Sequence, residues 1–166
     1  MLFPSNFRLI VGGLALLLVA GTGPAALAQE NAILNVTAEV QASCVLNGGS
    51  LNFGTYTATD GSDTPGQGSF SYQCTNGTSI TLSLGPGDNE AEGSRAMAAG
   101  AERLLYELYQ DPTRQQEWGT DGAALSVGST SAALETVQVY GLIPQGQDAP
   151  AGNYNDVVQI TLNLDQ

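Results

Sequence analysis

Two cysteines, Cys44 and Cys74, are the most reactive side chains in the sequence. The chain has no histidine and no lysine, so the groups that usually activate a serine or cysteine nucleophile are absent. A metal site built from these two cysteines alone would lack ligands, because a structural zinc ion needs four. If the chain is exported, the two cysteines most simply form one disulfide. Closing a loop of about 31 residues in this way contributes roughly 3.5 kcal/mol of stability.

Carboxylates are the other candidates for chemistry. Asp88, Asn89, Glu90 and Glu92 follow one another in a stretch of small residues between 88 and 100. Such oxygen-bearing side chains could bind Ca²⁺, but their spacing does not fit an EF-hand loop, and no apolar pocket that would tune a catalytic pair is evident. The sequence therefore predicts a solvated loop here. It predicts no catalytic residue, no metal site and no cofactor, and the chain is expected not to be an enzyme.

The first 28 residues predict a secretory signal peptide. Arg8 precedes an uncharged run of about 13 residues, which is too short for the roughly 20 residues of a membrane-spanning helix. The sequence Ala-Leu-Ala at 26–28 then supplies a cleavage site. An uncleaved anchor is the alternative. The expected organisation is a signal peptide at 1–28, an arm at 29–41 and one domain at 42–166.

The charge of the chain after residue 28 excludes a class of partners. One of the four basic residues, Arg8, lies in the signal peptide, so three basic residues remain against sixteen acidic ones, a net charge of −13. A surface this acidic repels phosphate backbones, so nucleic-acid binding is not expected. The plain interpretation of the charge is solubility outside the cell.

Alternating apolar and polar residues between turn signals indicate an all-β chain, typical of a sandwich. Strands are predicted at residues 32–40, 51–56, 79–84, 103–109, 134–143 and 158–164, and loops at 61–68, 88–100 and 145–153. The dipeptide Asn76-Gly77 predicts a turn, and Trp118 is expected in the core. Residues 103–109 would also suit a helix, but Asp111-Pro112 ends that run after seven residues.

The arm carries apolar side chains that need a core. They alternate with polar ones and precede Cys44, so a disulfide would not tie them into the fold. Burying all of them would contribute on the order of 5–10 kcal/mol. Spacing alone favours an edge strand packed on its own domain. A free arm of about twelve residues could instead reach a neighbouring chain.

Six blocks of sequence, from about residue 31 to 164, carry a family resemblance. They comprise the arm running into Ala-Ser-Cys at 42–44 with Leu-Asn-Phe-Gly-Thr-Tyr at 51–56, Phe-Ser-Tyr-Gln-Cys-Thr-Asn-Gly-Thr at 70–78, Arg-Ala-Met at 95–97, Leu-Tyr-Glu-Leu-Tyr-Gln-Asp at 105–111 with Trp-Gly at 118–119, Val-Tyr-Gly-Leu-Ile-Pro at 139–144, and Pro-Ala-Gly-Asn-Tyr-Asn-Asp at 150–156 before the last strand. In these blocks the chain resembles the spore coat protein U domain family, which includes the pilins of archaic chaperone–usher pili.

The resemblance implies an incomplete immunoglobulin-like β-sandwich that lacks one strand and is completed by donor-strand complementation, a form of β-augmentation. It implies that Cys44 and Cys74 are the paired cysteines of the family. The donor strand would present Ala32, Leu34, Val36, Ala38 and Val40. The strand that borders the groove and faces the chaperone would present Val158, Ile160, Leu162 and Leu164.

The resemblance also implies partners and a location. The partners would be neighbouring pilus subunits, a periplasmic chaperone and an outer-membrane usher, and the chain would pass through the periplasm to the cell surface. The expected function is that of a structural pilus subunit in adhesion or biofilm formation. One departure is the C-terminus, where residues 162–166 lack the aromatic residue with which family members often end.

Two other functions remain open at this stage. One is a monomeric secreted or coat-layer protein that folds with its own arm. The other is a surface-binding adhesin module, although Cys44 lies only 16 residues after the predicted cleavage site and leaves no room for a separate N-terminal binding domain.

Overall fold

The computed structural model describes residues 28–128 and 130–165. The predicted signal peptide, apart from Ala28, lies outside the described residues. Within them the chain is all-β apart from one short 3-10 helix, Asp121–Ala123. No helix in these ranges is long and apolar enough to cross a membrane. The strands are β1 (Cys44–Asn52), β2 (Thr64–Cys74), β3 (Ser79–Leu84), β4 (Ala96–Ala99), β5 (Glu102–Leu105), β6 (Glu107–Tyr109), β7 (Leu125–Val127), β8 (Glu135–Ile143) and β9 (Ile160–Asp165).

The chain divides into two units, residues 1–38 and residues 39–166. In the first, residues 28–38 form no strand, and their side chains are exposed. The second unit contains all the strands and is described by itself here.

Three antiparallel sheets make up the second unit. A four-stranded sheet has the order β1-β2-β8-β6, a three-stranded sheet the order β7-β3-β9, and β4 pairs with β5 in a small two-stranded sheet. Strands that follow one another in the sequence can belong to different sheets: β2 lies in the four-stranded sheet and β3 in the three-stranded one. Both ends of the domain sequence therefore reach a sheet edge, β1 in one sheet and β9 in the other.

The core lies among these sheets and is centred on Trp118. Its side chain is fully buried, packs at a tilt against Phe70, and donates an indole N–H hydrogen bond of 3.0 Å to the carbonyl of Leu82. Strand β3 buries Ile80, Leu82 and Leu84 in strict alternation, which is the pattern that predicted this strand. The prediction of Trp118 as a core residue is confirmed.

The disulfide predicted from the cysteine count is present. Cys44 and Cys74 face each other in the ladder of β1 and β2, with their Cα atoms 4.1 Å apart. This separation is typical of a non-hydrogen-bonded antiparallel pair, in which side chains come closest. The disulfide therefore joins the first residue of β1 to the last residue of β2.

Several elements predicted from the sequence agree with the observed strands and turns. Residues 79–84 form β3 with the predicted bounds, residues 134–143 become β8, and Gly77 occupies the predicted turn at φ +80°. The last strand starts at Ile160, two residues after the predicted start, and residues 145–153 contain no strand.

The prediction of a loop at 61–68 and a strand at 51–56 is wrong. Strand β2 already begins at Thr64, and the preceding strand runs over Cys44–Asn52. The glycines that suggested a loop serve close packing instead. A Cβ on Gly68 would lie 2.2 Å from the carbonyl oxygen of Ser50, and one on Gly66 would lie 2.6 Å from the ring of Phe53. Glycine within a strand often marks such an approach.

The loop predicted at 88–100 is interrupted by β4 near its end. Arg95 and Ala96 are buried, which an acidic surface loop would not predict. The Arg95 guanidinium donates hydrogen bonds to the carbonyls of Leu84, Gly85 and Trp118, at 2.8–2.9 Å. These bonds make burial of a charged side chain tolerable.

The strand predicted at 103–109 exists but is split at Tyr106. Its first part, β5, pairs with β4, and its second part, β6, pairs with β8 in the four-stranded sheet. Tyr106 itself is buried where the chain passes from one sheet to the other.

Candidate functional site

The domain contains a cavity of about 430 Å³. Residues of all three sheets line it, among them the buried side chains of Phe70, Leu84, Leu108 and Val139. The cavity therefore reaches buried core side chains while part of its boundary is open to solvent.

Half-buried apolar side chains along β1, β9 and their flanks surround this cavity or adjoin it. They pack against the core but leave part of their surface uncovered: Leu46, Leu51 and Phe53 on one side, Val158, Ile160 and Leu162 on the other. The cavity and these six side chains together are called the open groove below.

The two edges of the open groove have unused backbone hydrogen-bonding capacity. Strand β9 pairs with β3 alone and β1 pairs with β2 alone in the part of the chain that the structure describes. An unpaired edge leaves a row of N–H and C=O groups free to pair with another strand. The open groove thus combines an apolar floor with an edge that can accept a strand.

The predicted groove-edge residues lie along the open groove, except that the last of them, Leu164, is exposed. Val158 and Ile160 line the cavity, Leu162 is half-buried further along β9, and Leu164 is 41% exposed near the strand's end. Apolar contact therefore weakens toward the C-terminal end of β9.

Asp156 fixes one end of the open groove. Its Oδ1 accepts hydrogen bonds of 3.0–3.1 Å from the backbone N–H groups of Asp88 and Asn89, and its Oδ2 accepts one of 2.6 Å from the Tyr106 hydroxyl. Gly87, at φ +91°, is required beside it, because a Cβ there would lie 2.1 Å from Oδ2. Asp156 thereby holds the 86–89 loop against the lead-in to β9.

Tyr106 connects this polar anchor to the apolar floor. Its ring meets Phe53 edge to face at a centroid distance of 5.7 Å. Burial, followed by the hydrogen bond to Asp156, raises the pKa of the Tyr106 hydroxyl, so this group stays protonated and donates to the carboxylate. Sequence reasoning did not identify Tyr106 or Asp156 as groove residues. Both lie within blocks that carry the family resemblance, but no local pattern ties them together.

The predicted donor residues are exposed. Leu34 is 85%, Val36 82% and Val40 81% exposed, as is Ile33 on the alternate face at 90%. Residues 28–43 form no strand, so the strand predicted at 32–40 is not formed in this single chain. These side chains and the open groove are thus two apolar surfaces, each without a covering partner in the described residues.

Comparison with known proteins gives this fold its family. The sequence profile of the Spore Coat Protein U domain matches residues 30–161. Protein U of Myxococcus xanthus is 41% identical over 159 residues, covering 85% of this chain and 88% of Protein U.

Two solved structures share the fold. One is the CsuC–CsuE chaperone–tip adhesion subunit pre-assembly complex from archaic chaperone–usher Csu pili of Acinetobacter baumannii, with a TM-score of 0.57 and 24% identity over 74% of this chain. This chain spans only 40% of the length of the chain it matches there. The other is a chaperone–usher pilus, with a TM-score of 0.50 and 15% identity over 84% of this chain and 97% of that one.

The two structures confirm an immunoglobulin-like all-β fold. The profile covers most of the chain, and the identity to Protein U extends over most of both proteins. The chain therefore belongs to the Spore Coat Protein U domain family.

Proposed function

We propose that this chain is a structural subunit of an extracellular chaperone–usher pilus, in which the arm of one copy fills the open groove of the next. The observation that carries the proposal is that the chain has two uncovered apolar surfaces of complementary kind. One is a nine-residue alternating segment at 32–40, and the other is a groove with a free strand edge at β9.

The dimensions of the two surfaces are compatible. At about 3.3 Å per residue, residues 32–40 would extend over roughly 30 Å and could follow the whole of β9. Their alternation would direct Ala32, Leu34, Val36, Ala38 and Val40 toward the groove. Backbone pairing along β9 would supply affinity, and the apolar side chains would supply register.

Head-to-tail use of an arm and a groove produces an open filament. The two surfaces differ, so the contact does not close on itself as a two-fold interface does. Until the next copy arrives, the free edge and the apolar floor would invite aggregation. A periplasmic chaperone that fills the groove, followed by transfer at an outer-membrane usher, is the proposed solution, and surface attachment or biofilm formation is the proposed role of the fibre.

Two variants of the full chain test the proposal when they are mixed. Val36→Asp places a charge on the arm and should prevent donation, whereas Val158→Asp places one at the groove and should prevent acceptance. Each variant alone should remain monomeric. An equimolar mixture should form a dimer and nothing larger, because one good arm meets one good groove.

The matched controls carry the same charge on the opposite faces. Thr37→Asp on the arm and Thr161→Asp on β9, both at exposed positions, should assemble like the unmodified chain. Size-exclusion chromatography with light scattering separates monomer, dimer and polymer. Polymers formed by Val36→Asp alone would contradict the donor role of the arm.

A coat-layer protein is the second candidate function. The 41% identity to Protein U, over 88% of that protein, favours it more directly than the distant pilus structures do. Such a protein would be a stable monomer without a chaperone, and its arm would be protected from hydrogen exchange in its own groove. Hydrogen exchange of residues 32–40 in purified monomer therefore separates the two functions.

A further inference from the structure

The root of the arm, residues 41–43, is held by Thr75, a residue of the 70–78 block for which the sequence predicts no role. Thr75 follows Cys74 directly and lies opposite Ser43. Its backbone N–H donates a 2.8 Å hydrogen bond to the carbonyl of Ser43, which continues the β1–β2 ladder one step beyond the disulfide.

The Thr75 side chain adds a second set of contacts to the same root. Its Oγ1 accepts a 3.1 Å hydrogen bond from the backbone N–H of Ser43. The hydroxyl proton can be donated to the carbonyl of Gln41 or of Ser43, each 3.3 Å away. One side chain thus accepts from the N–H of Ser43 and can donate to the carbonyl of Ser43 or of Gln41, where the arm departs from the domain.

Thr75 is itself held by hydrogen bonds to Thr78 and Thr130. Its carbonyl accepts hydrogen bonds from the Thr130 hydroxyl at 3.1 Å and from the Thr78 N–H at 3.3 Å, and Thr130 and Thr78 bond through their backbones at 2.8 Å. Thr78 and Thr130 are two of the three buried polar or charged residues in the described part of the chain. The root is therefore attached, through Thr75, to two buried and mutually hydrogen-bonded threonines.

We propose that Thr75 is a positioning residue that keeps the arm from folding back beside its own β1. Folding back would turn the chain within the root so that the arm ran antiparallel to β1. That turn would break the Ser43 and Gln41 hydrogen bonds to Thr75. A two-residue turn at Ala42-Ser43 would also lack the glycine or asparagine that tight hairpins prefer.

This inference rests on the proposed function, because an arm that cannot close on its own domain is available to a second copy of the chain. The hydrogen bonds between Thr75 and the root, called the Thr75 clamp, would set the balance between an arm folded on its own domain and an arm available to a second copy. The open groove would set the affinity of one copy for the arm of the next. Loss of the hydroxyl should shift that choice without unfolding the domain, since Ser43 is exposed and water can satisfy its N–H.

Three variants of the full chain test the clamp. Thr75→Val removes the hydroxyl and keeps the side-chain shape, Thr75→Ser restores a hydroxyl, and Thr136→Val makes the same change at an exposed site on β8. We expect Thr75→Val to raise the fraction of monomer with a protected arm about fivefold, the effect of one typical hydrogen bond. Thr75→Ser and Thr136→Val should match the unmodified chain.

Hydrogen exchange followed by NMR measures the result residue by residue. In Thr75→Val monomer the Ser43 amide should lose protection, while amides of residues 32–40 gain it and the yield of polymer falls. If residues 32–40 exchange equally in Thr75→Val and unmodified monomers, the clamp is wrong. If the unmodified chain never polymerises, the pilus proposal fails, but the exchange of residues 32–40 in the two monomers still decides the role of Thr75.

Discussion

At the scale of single residues, Arg95 shows how this chain accommodates a buried charge by bonding its guanidinium to backbone carbonyls. The side chain is 6% exposed, and its guanidinium donates hydrogen bonds to three backbone carbonyls, those of Leu84 and Gly85 at the end of β3 and that of Trp118. Carbonyls that bond a guanidinium are left unsatisfied when it is removed, and a charge-assisted hydrogen bond contributes more than a neutral one.

Replacing this side chain should be costly. We expect Arg95→Met to lower the free energy of unfolding by about 3 kcal/mol, because three buried carbonyls lose their donor. Arg103→Met is the control, since Arg103 is exposed and bonds only nearby carbonyls of its own turn; its effect should stay within about 0.5 kcal/mol. Urea denaturation measures both, and equal stabilities would refute the structural role of Arg95.

The carboxyl pair Glu107 and Glu117 gives the domain a pH dependence of defined sign. Burial, then the nearby Glu117 carboxylate, raises the pKa of Glu107, and Arg95 partly opposes this. The folded chain keeps a proton that the unfolded chain releases. This contribution to stability therefore falls as the pH rises from the ordinary carboxyl range through the raised pKa of Glu107.

Glu107→Gln should remove that contribution to the pH dependence. The variant is expected to have a higher melting temperature than the unmodified chain at pH 7, with the difference disappearing toward pH 4. Glu102→Gln removes the same charge from an exposed position on β5 and controls for net charge. A melting curve series from pH 4 to pH 8 is the measurement, and a Glu107→Gln profile parallel to that of Glu102→Gln would contradict the assignment.

At the scale of elements, the sequence predicts strands well where one face is buried and the other exposed. The alternation of residues 79–84 and 134–143 gives β3 and β8 almost to the residue. It fails for β1 and the first half of β2. Glycines within residues 61–68 suggest a loop, but Gly66 and Gly68 are placed by contacts with residues distant in sequence.

In the candidate site, too, some features could be predicted from the sequence and others depend on contacts between residues distant in sequence. The family resemblance implies which residues of the last strand border the groove, and two of them, Val158 and Ile160, line the cavity; the cysteine count predicts the disulfide. The floor of the groove, the Asp156–Tyr106 anchor and the Thr75 network depend on three sheets meeting. No local spacing encodes such contacts.

A pair of glycine substitutions tests the packing argument. Gly68→Ala should lower the free energy of unfolding by about 2 kcal/mol, because its Cβ would meet the backbone of Ser50 and Leu51 at 2.2–2.7 Å. Gly48→Ala, which has nothing within 4 Å, should change it by less than about 0.5 kcal/mol. Chemical denaturation with equal slopes for both variants would make the comparison valid, and a tolerated Gly68→Ala would show that β1 can shift.

At the scale of the whole molecule, like charge opposes any association of copies. After residue 28 each copy carries a net charge of −13, so two approaching copies repel each other. The arm at 29–41 contains two acids, Glu30 and Glu39, and no base, so it does not offset the charge of the domain that would receive it.

Salt should therefore accelerate assembly. Raising NaCl from 10 mM to 150 mM shortens the screening length from about 30 Å to about 8 Å, and the rate of dimer formation between the Val36→Asp and Val158→Asp variants should rise several-fold. KCl at equal ionic strength should act identically. Light scattering after rapid mixing gives the rate, and a rate that falls with salt would mean that the contact is electrostatically attractive.

The arrangement of the arginines bears on how long the protein would survive outside a cell. Trypsin-like proteases need an extended lysine or arginine side chain to enter a pocket with an acidic base. The chain has no lysine, and beyond residue 28 its arginines all donate to backbone carbonyls: Arg95 in the core, Arg103 within its turn and Arg114 to Gly141 and Pro112. Digestion at the buried Arg95 would have to wait for local unfolding, whereas Arg103 is exposed, so we expect this class of enzyme to make its first cut in the folded domain there.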